Sequence, residues 1–442
     1  MKLITTTAIV LGLMLLVLGC AKEPAETPAA PPTAAAGATI KLTVWDWHSS
    51  DPSKGVGLWL SQIDKEFEAA HPGIKINHVG QDHTHYYELF KAAAAAASPT
   101  DGPDVVMLHQ GNRIMDNRGS LRPLTEYVTP DFKKKILGWE LTSDNFDATK
   151  TPWAVSIAVQ GLVWYYNKAL LKQAALDPSK PPTSWDQLLA ACDRMKDIGK
   201  AGIAVGEKEG FWAAWFASSA YMQTFGPGDL DRLRNGEMKW NDPKIAAVLE
   251  KLKELNDKGC FQEGFMSTPL FPDAGEVFQR GDAAFFLGLI SDVAHWKELG
   301  DMIGAENLGV MTCPVFKEGP DAQKFPIGGA FAYGITKWSP HPKEAWDYIA
   351  FVANDEHANS FLKECGSFPA NQNYDRALIT DPTAKVIAKW ISEGRGGRHL
   401  LDEMPTSVTE TLQRECQRLL TGQTTVDGAL AAMAKPGAGD GK

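Results

Sequence analysis

The sequence predicts an α/β protein of two domains, each with a mainly parallel sheet flanked by helices. Three observations lead there. Strand and helix patterns alternate from Lys41 to Leu108, the order that yields parallel sheets covered on both faces. The alternation starts again after residue 150. The 442 residues also exceed what one hydrophobic core usually serves.

The first residues stand outside that fold. An apolar run from Ala8 to Leu18 is too short to span a bilayer and fits the apolar region of a signal peptide. The "VLGC" that closes it resembles the bacterial lipobox, which implies a signal over residues 1–19 and a lipidated Cys20 as the mature N-terminus. A plain secretory signal is the alternative. Residues 20–37 are rich in Ala, Pro and Thr without periodicity, a disordered tether. The expected location is extracytoplasmic, in the periplasm or at the cell surface, anchored to the membrane.

Beyond the tether, "KLTVW" alternates as a strand, and Leu60, Ile63 and Phe67 recur at helical spacing. "IKINHVG" is a second strand, "YYELFKAAAAAA" a second helix rich in alanine, and "DVVML" a short apolar strand. In such sheets ligands lie beyond the carboxyl ends of the strands. Trp45, Trp47 and His48 follow the first strand, Gln81 and Asp82 the second, His109 and Gln110 the third. These sets converge on one edge.

The second alternation holds the strand "GLVWYYN", a helix capped by Ser184, the aromatic stretch "GFWAAWFASSAYM" and a long helix capped by Asp242. "FQRGDAAFFLGLISD", "LGVMTCPVFKEG" and "GGAFAYGITK" carry strand character. "HPKEAWDYIAFVAN" and "VTETLQRECQRLL" read as helices, and residues 436–442 as a frayed tail.

A net charge of −10 without a basic run argues against nucleic acid as a partner. The six cysteines lack metal-site spacing, so neither a metal site nor a disulfide framework is implied. With Cys20 lipidated, Cys192, Cys260, Cys313, Cys365 and Cys416 read as small buried thiols, and one bridge among them stays open.

Several segments, in order, resemble the extracellular solute-binding proteins of ABC importers, in the sugar-binding group that includes the maltodextrin-binding protein. They are "LTVWDW", "TDGPDVVML", "SIAVQGLVWYYNKALL", "PPTSWDQLLAACDRMK", "FQRGDAAFFLG", "GSFPANQN" and "TVDGALAAM". The resemblance implies a two-lobed periplasmic-binding-protein fold with a ligand cleft at the hinge. It places residues 38–150 and 309–358 in an N-lobe and 151–308 and 359–435 in a C-lobe. It further implies a monomer without cofactor or catalytic residues, whose partners are a small-molecule sugar, the importer's membrane subunits and the membrane itself.

A sugar needs flat apolar surfaces for its faces and polar side chains for its edge. The 14 tryptophans offer surplus surface. Of Trp45 and Trp47 the second is favoured for the cleft, with His48, because both lie past the strand end. The resemblance adds Gln160 in the hinge-crossing segment with nearby Trp153, then Phe211 and Trp212 as stacking aromatics, and Gly288, Gly329 and Phe331. Where relatives carry Trp after Gly288, this chain has Ser291 and Asp292, a departure from a maltodextrin binder. Arg395 is a further candidate. More His and Gln than in a maltodextrin binder points to a mono- or disaccharide. Competing readings are a polyamine or other small-solute binder of the same fold and an extracellular glycoside hydrolase. The latter needs a pair of carboxylates at set separation, which nothing in the sequence marks.

Overall fold

The computed structural model of the protein describes residues 39–291, 295–319 and 321–435. The signal, Cys20, the tether, Asp292 and the 436–442 tail lie outside the described residues.

The first sheet begins with β1 (Ile40–Asp46), β2 (Ile74–Gly80) and β3 (Val105–His109). These are parallel to one another, as the alternation predicts. Between them run α1 (Gly55–Ala70) and α2 (Tyr86–Ala96). Helix α1 buries Trp59, Leu60, Ile63 and Phe67, the stripe its spacing promises. Helix α3 (Asn112–Asn117) follows β3 after a two-residue turn.

Two further strands enter this sheet from far along the chain. These are β4 (Val155–Ser156) and a strand at Phe331–Ile335, and the latter runs antiparallel to both β3 and β4. The second sheet is centred on β5 (Val159–Asn167). Around it lie β6 (Ala201–Ala204), β7 (Ala283–Leu289), β8 (Leu308–Met311) and β9 (Phe325–Gly329). The Phe331–Ile335 strand is therefore β10, and Gly396–Gly397 is β11. The orders are β2-β1-β3-β10-β4 and β11-β9-β5-β7-β6, with β8 also on β5.

Both sheets are mixed. Parallel pairing holds across β2, β1 and β3, and again for β6 with β7, whereas β5 is antiparallel to β7, β8 and β9. The cause is the way the chain passes between sheets. Strand β4 continues into β5 after Ile157 and Ala158, and β9 into β10 after Ala330. Such continuations enter in the opposite sense to the strands fed by helices. A third segment joins them: Val159 N–H donates to Phe368 O at 2.9 Å, and Ala370 N–H to Ile157 O at 2.8 Å. Ile157 N–H donates to Phe331 O at 3.0 Å. Three crossing segments thus hydrogen-bond side by side.

The crossings displace the expected boundaries. Strands β8 and β9, expected in the first body, pair with β5 in the second sheet. Strand β4, expected in the second, pairs with β10 in the first. A helix at Asp355–Cys365 packs on α1, with Trp59 Nε1 donating to Ser360 Oγ at 2.8 Å and Phe361 edge-on to the Trp59 ring at 5.0 Å.

In the second body, α4 (Trp185–Asp197) starts at a capping box on Ser184 and Gln187. Helix α5 (Phe211–Ala220) follows β6, α6 (Pro243–Asp257) is capped by Asp242, and Asp355–Cys365 takes the label α7. Helix α8 (Thr406–Leu420) packs beside α5.

Glu207 sets the start of α5. It is fully buried, and its Oε2 accepts from Ala213 N–H at 2.9 Å while Oε1 has no partner. Burial pushes its carboxyl up to about 8, with Glu209 adding to the rise against the backbone N–H groups. Folding therefore takes up a proton between the ordinary value of 4.5 and about 8. That stabilisation is complete below the ordinary value and is lost as pH rises through about 8. Glu207→Gln is expected to raise the melting temperature above wild type at pH 8.5 and to give no gain near pH 4.5, read from thermal melts across that range.

Candidate functional site

The carboxyl ends of β1 and β3 hold an aromatic wall. Trp47 is half-buried, and its ring lies 4.6 Å from that of His109, 4.9 Å from Tyr86, 5.1 Å from His83 and 5.5 Å from His48. His109 N–H donates to Tyr87 Oη at 3.0 Å, and the Arg113 guanidinium covers the Tyr87 ring at 4.4 Å. Trp47, His109, Tyr87 and Arg113 form one continuous run of contacts, with the rings tilted against one another.

Asp46 anchors this wall from beneath. It is fully buried; His48 N–H donates to its Oδ1 at 2.7 Å, His48 Nδ1 lies 2.7 Å from the same oxygen, and the Tyr333 hydroxyl donates to Oδ2. Burial alone would raise the carboxyl. The charge and hydrogen bond of His48, with His78 and Tyr333, outweigh it and hold Asp46 below the usual range. His48 is thereby fixed with its ring 4.8 Å from Phe331.

Gln110 lies at the crossing segments. Its amide rests on Gly329, where a Cβ would stand 1.5 Å from Gln110 Cδ. Only glycine admits that approach. Nε2 reaches Phe331 O and Ala158 O at 3.4 and 3.5 Å, while Oε1 is buried without a partner. Opposite, the segment His399–Asp402 crosses from the second body. A Cβ on Gly328 would stand 2.6 Å from Asp402 Oδ2, and one on Gly111 2.1 Å from Asp402 O. Asn112 Nδ2 donates to Leu401 O at 3.2 Å and Met404 O at 2.9 Å.

Asp402 Oδ2 and His399 Nε2 are also buried without partners. Burial, then the Glu403 charge, drives the Asp402 carboxyl well above its ordinary value, and burial holds His399 down at about 3 and neutral. Two of these three polar atoms without partners, Gln110 Oε1 and Asp402 Oδ2, lie against the glycine pair, a lining that ligand hydroxyls can satisfy.

The wall of the second body lies beyond β6. Phe211 is 44% and Phe271 40% exposed, and the Phe271 ring is 5.7 Å from Trp215. Glu209 Oε2 accepts from Leu270 N–H at 3.0 Å, tying the two loops.

The structure thus brings together Trp47, His48, His109, Gln110, Gly329 and Phe331, although Phe331 is buried packing rather than an open face. Gln160 is half-buried and paired with Gly328 across β5 and β9. Gln81 is half-buried, its N–H donating to Asp46 O at 3.2 Å. Gly288 and Ser291 are buried at the end of β7 and beyond it.

Other candidates are engaged elsewhere. Trp45 lies on the face of β1 opposite Asp46. Asp82 is exposed and accepts from His85 N–H at 3.0 Å, a turn role. Trp153 Nε1 donates to Asp144 Oδ1 at 2.8 Å. Arg395 donates to Gln323 O and covers Trp390 at 4.5 Å.

Trp212 corrects the expectation of two stacking aromatics in α5. It is fully buried against Trp164, Phe216 and Phe261, because one residue along a helix turns the side chain by about 100°. His399, expected on a solvated loop, is buried, and missed altogether were His83, Tyr86, Tyr87, Arg113, Glu209, Phe271 and Asp402. The tyrosine pair before the alanine run was a readable signal; the His399–Asp402 contact was not. Among the described residues no cluster of His, Cys, Asp and Glu suits a metal ion.

The profile of the bacterial extracellular solute-binding protein family matches residues 62–390. The sn-glycerol-3-phosphate-binding periplasmic protein UgpB of Escherichia coli K12 is 24% identical over 349 residues, 74% of each chain. An uncharacterized ABC transporter extracellular-binding protein of Pyrococcus horikoshii is 26% identical over 324 residues, 68% of each chain. Among solved structures, a chitin oligosaccharide binding protein superposes with a TM-score of 0.77 at 21% identity, covering 90% of this chain and 97% of that one. Maltose-bound T. maritima MalE3 gives 0.67 at 21% identity, with 89% and 98% covered. These likenesses show the fold.

Trp212→Ala is expected to cost about 3–5 kcal/mol of stability as a core truncation, whereas Phe211→Ala stays within about 0.5 kcal/mol. Urea denaturation of the two variants distinguishes a buried from a presented ring.

Proposed function

Because the chain belongs to the bacterial extracellular solute-binding proteins, which serve transport rather than catalysis, we propose that it captures a mono- or disaccharide and passes it to an ABC importer. The observation that carries this reading is the aromatic wall around Trp47, set beside three buried polar atoms without partners at the crossing of the two bodies. A pyranose has an apolar C–H face and a rim of hydroxyls. Trp47 supplies a surface for the face; Gln110 Oε1, Asp402 Oδ2 and His399 Nε2 supply rim contacts.

The crossing segments act as a hinge in this reading. Gln110 belongs to one body and Asp402 to the other, so a ligand between them favours the closed arrangement. No turnover is involved. Lipidation of Cys20 and the tether keep a monomeric carrier at the membrane while the body samples the space around the importer.

A second reading has one observation behind it. Arg113 forms no ion pair among the described residues and lies over Tyr87 at the end of the run of ring contacts. A phosphorylated polyol would place its anion there, and the E. coli relative named above binds sn-glycerol 3-phosphate.

Thermal shift with a panel of mono- and disaccharides, sn-glycerol 3-phosphate and putrescine separates the readings, since a ligand that binds only the folded state raises the melting temperature. A sugar is expected to raise it, and Trp47→Ala to weaken that sugar at least about 10-fold, or about 1.4 kcal/mol, by calorimetry. A shift with putrescine alone overturns the sugar reading. A shift with sn-glycerol 3-phosphate alone that Arg113→Ala removes establishes the second.

A further inference from the structure

The five described cysteines are buried and unbridged. Two of them meet. Cys192 lies on the inner face of α4 with Leu188, Ala191 and Met195. Cys260 follows α6; its N–H donates to Leu255 O at 3.0 Å, and its carbonyl accepts from Ile203 N–H on β6 at 2.8 Å. The Cys192 thiol and the Cys260 backbone close on one point over β6. Gly202 on β6 makes the room: a Cβ there would stand 2.4 Å from Cys192 Sγ and 3.1 Å from Cys260 O. The thiols of Cys313 and Cys416 have other neighbours, Ser219 and Gln223 for the first, Glu207 and Glu415 for the second.

We propose that Cys192 and Cys260 are joined by a disulfide in the exported protein, tying α4 to the junction of α6 and β6. The family works outside the cytoplasm, where disulfides form and persist. The pair is selected by geometry rather than by sequence spacing, since the two thiols already share one site beneath a helix. Lys196, one turn beyond Cys192, reaches the same corner: its ammonium donates to Lys258 O and lies near both sulfurs.

The oxidant is a disulfide of the thiol–disulfide oxidoreductase class. The Cys260 thiolate attacks one of its sulfurs, forming a mixed disulfide and releasing the oxidant's other sulfur as a thiolate. Cys192, deprotonated, attacks the Cys260 sulfur, and the oxidant leaves as a second thiolate. Two protein thiols become one disulfide, and the oxidant departs as a dithiol carrying the two protons. Both cysteines are buried in the folded chain, so the exchange takes place before α4 closes over β6.

The bridge closes a loop of about 70 residues and so restricts the unfolded chain substantially. It lies in the second body away from the aromatic wall, and the inference holds whatever the ligand is.

The test uses the wild-type chain exported to an oxidising compartment and purified without reductant. Unfolding in excess alkylating agent, digestion and mass spectrometry should give a Cys192–Cys260 linked peptide, two hydrogens lighter than the sum of its parts. That linked peptide should disappear on prior reduction. Cys313, Cys365 and Cys416 should be recovered alkylated. Reduction should lower the melting temperature of wild type and leave Cys192→Ser unchanged. Recovery of both Cys192 and Cys260 as alkylated peptides from the unreduced protein overturns the proposal, as does a bridge to any other cysteine.

Discussion

The site depends on three backbone segments that pass between the two sheets hydrogen-bonded to one another, around Ile157–Val159, Ala330 and Phe368–Ala370. Extended segments in a buried position must satisfy every N–H and C=O, and here they do so through each other. Their residues are small where others approach. Ala158 and Ala330 are the links between strands, and Gly329 yields its face to Gln110. The antiparallel half of each sheet, the placing of β4, β8 and β9, and the meeting of Gly328 with Asp402 all follow from this arrangement.

Two buried carboxyl groups show how the same burial has opposite outcomes. Asp46 has His48 and Tyr333 in contact and remains ionised beneath Trp47. Glu207 has the N-terminus of α5 but no cation, and burial keeps it protonated up to about 8. A buried charge is tolerable when its hydrogen bonds and counter-charge are complete and is otherwise neutralised. In the first case the result is a fixed imidazole in the aromatic wall. In the second it is a helix start that holds Phe211 outward and Trp212 inward.

Much of the wall was legible. Strand patterns located the ends of β1 and β3, and the rule that ligands lie beyond such ends picked out Trp47, His48, His109 and Gln110. Legibility stopped where a residue's role depends on a distant partner. Trp153 is held by Asp144, Arg395 by Gln323 and Trp390, and Asp82 by its own turn. Each has the composition of a ligand contact and a neighbour that the sequence does not announce.

By itself the sequence determined the α/β class, the order of strands and helices, the helix caps at Ser184 and Asp242, and the loops that follow strand ends. All of these rest on local periodicity and on residues within a few positions of one another. Tertiary structure alone decided which sheet receives β4, β8 and β9, which aromatic of α5 is presented, that Asp402 faces Gly328, and that Cys192 meets Cys260. Those are contacts across tens to hundreds of residues, set by how whole elements pack, and no local pattern encodes them.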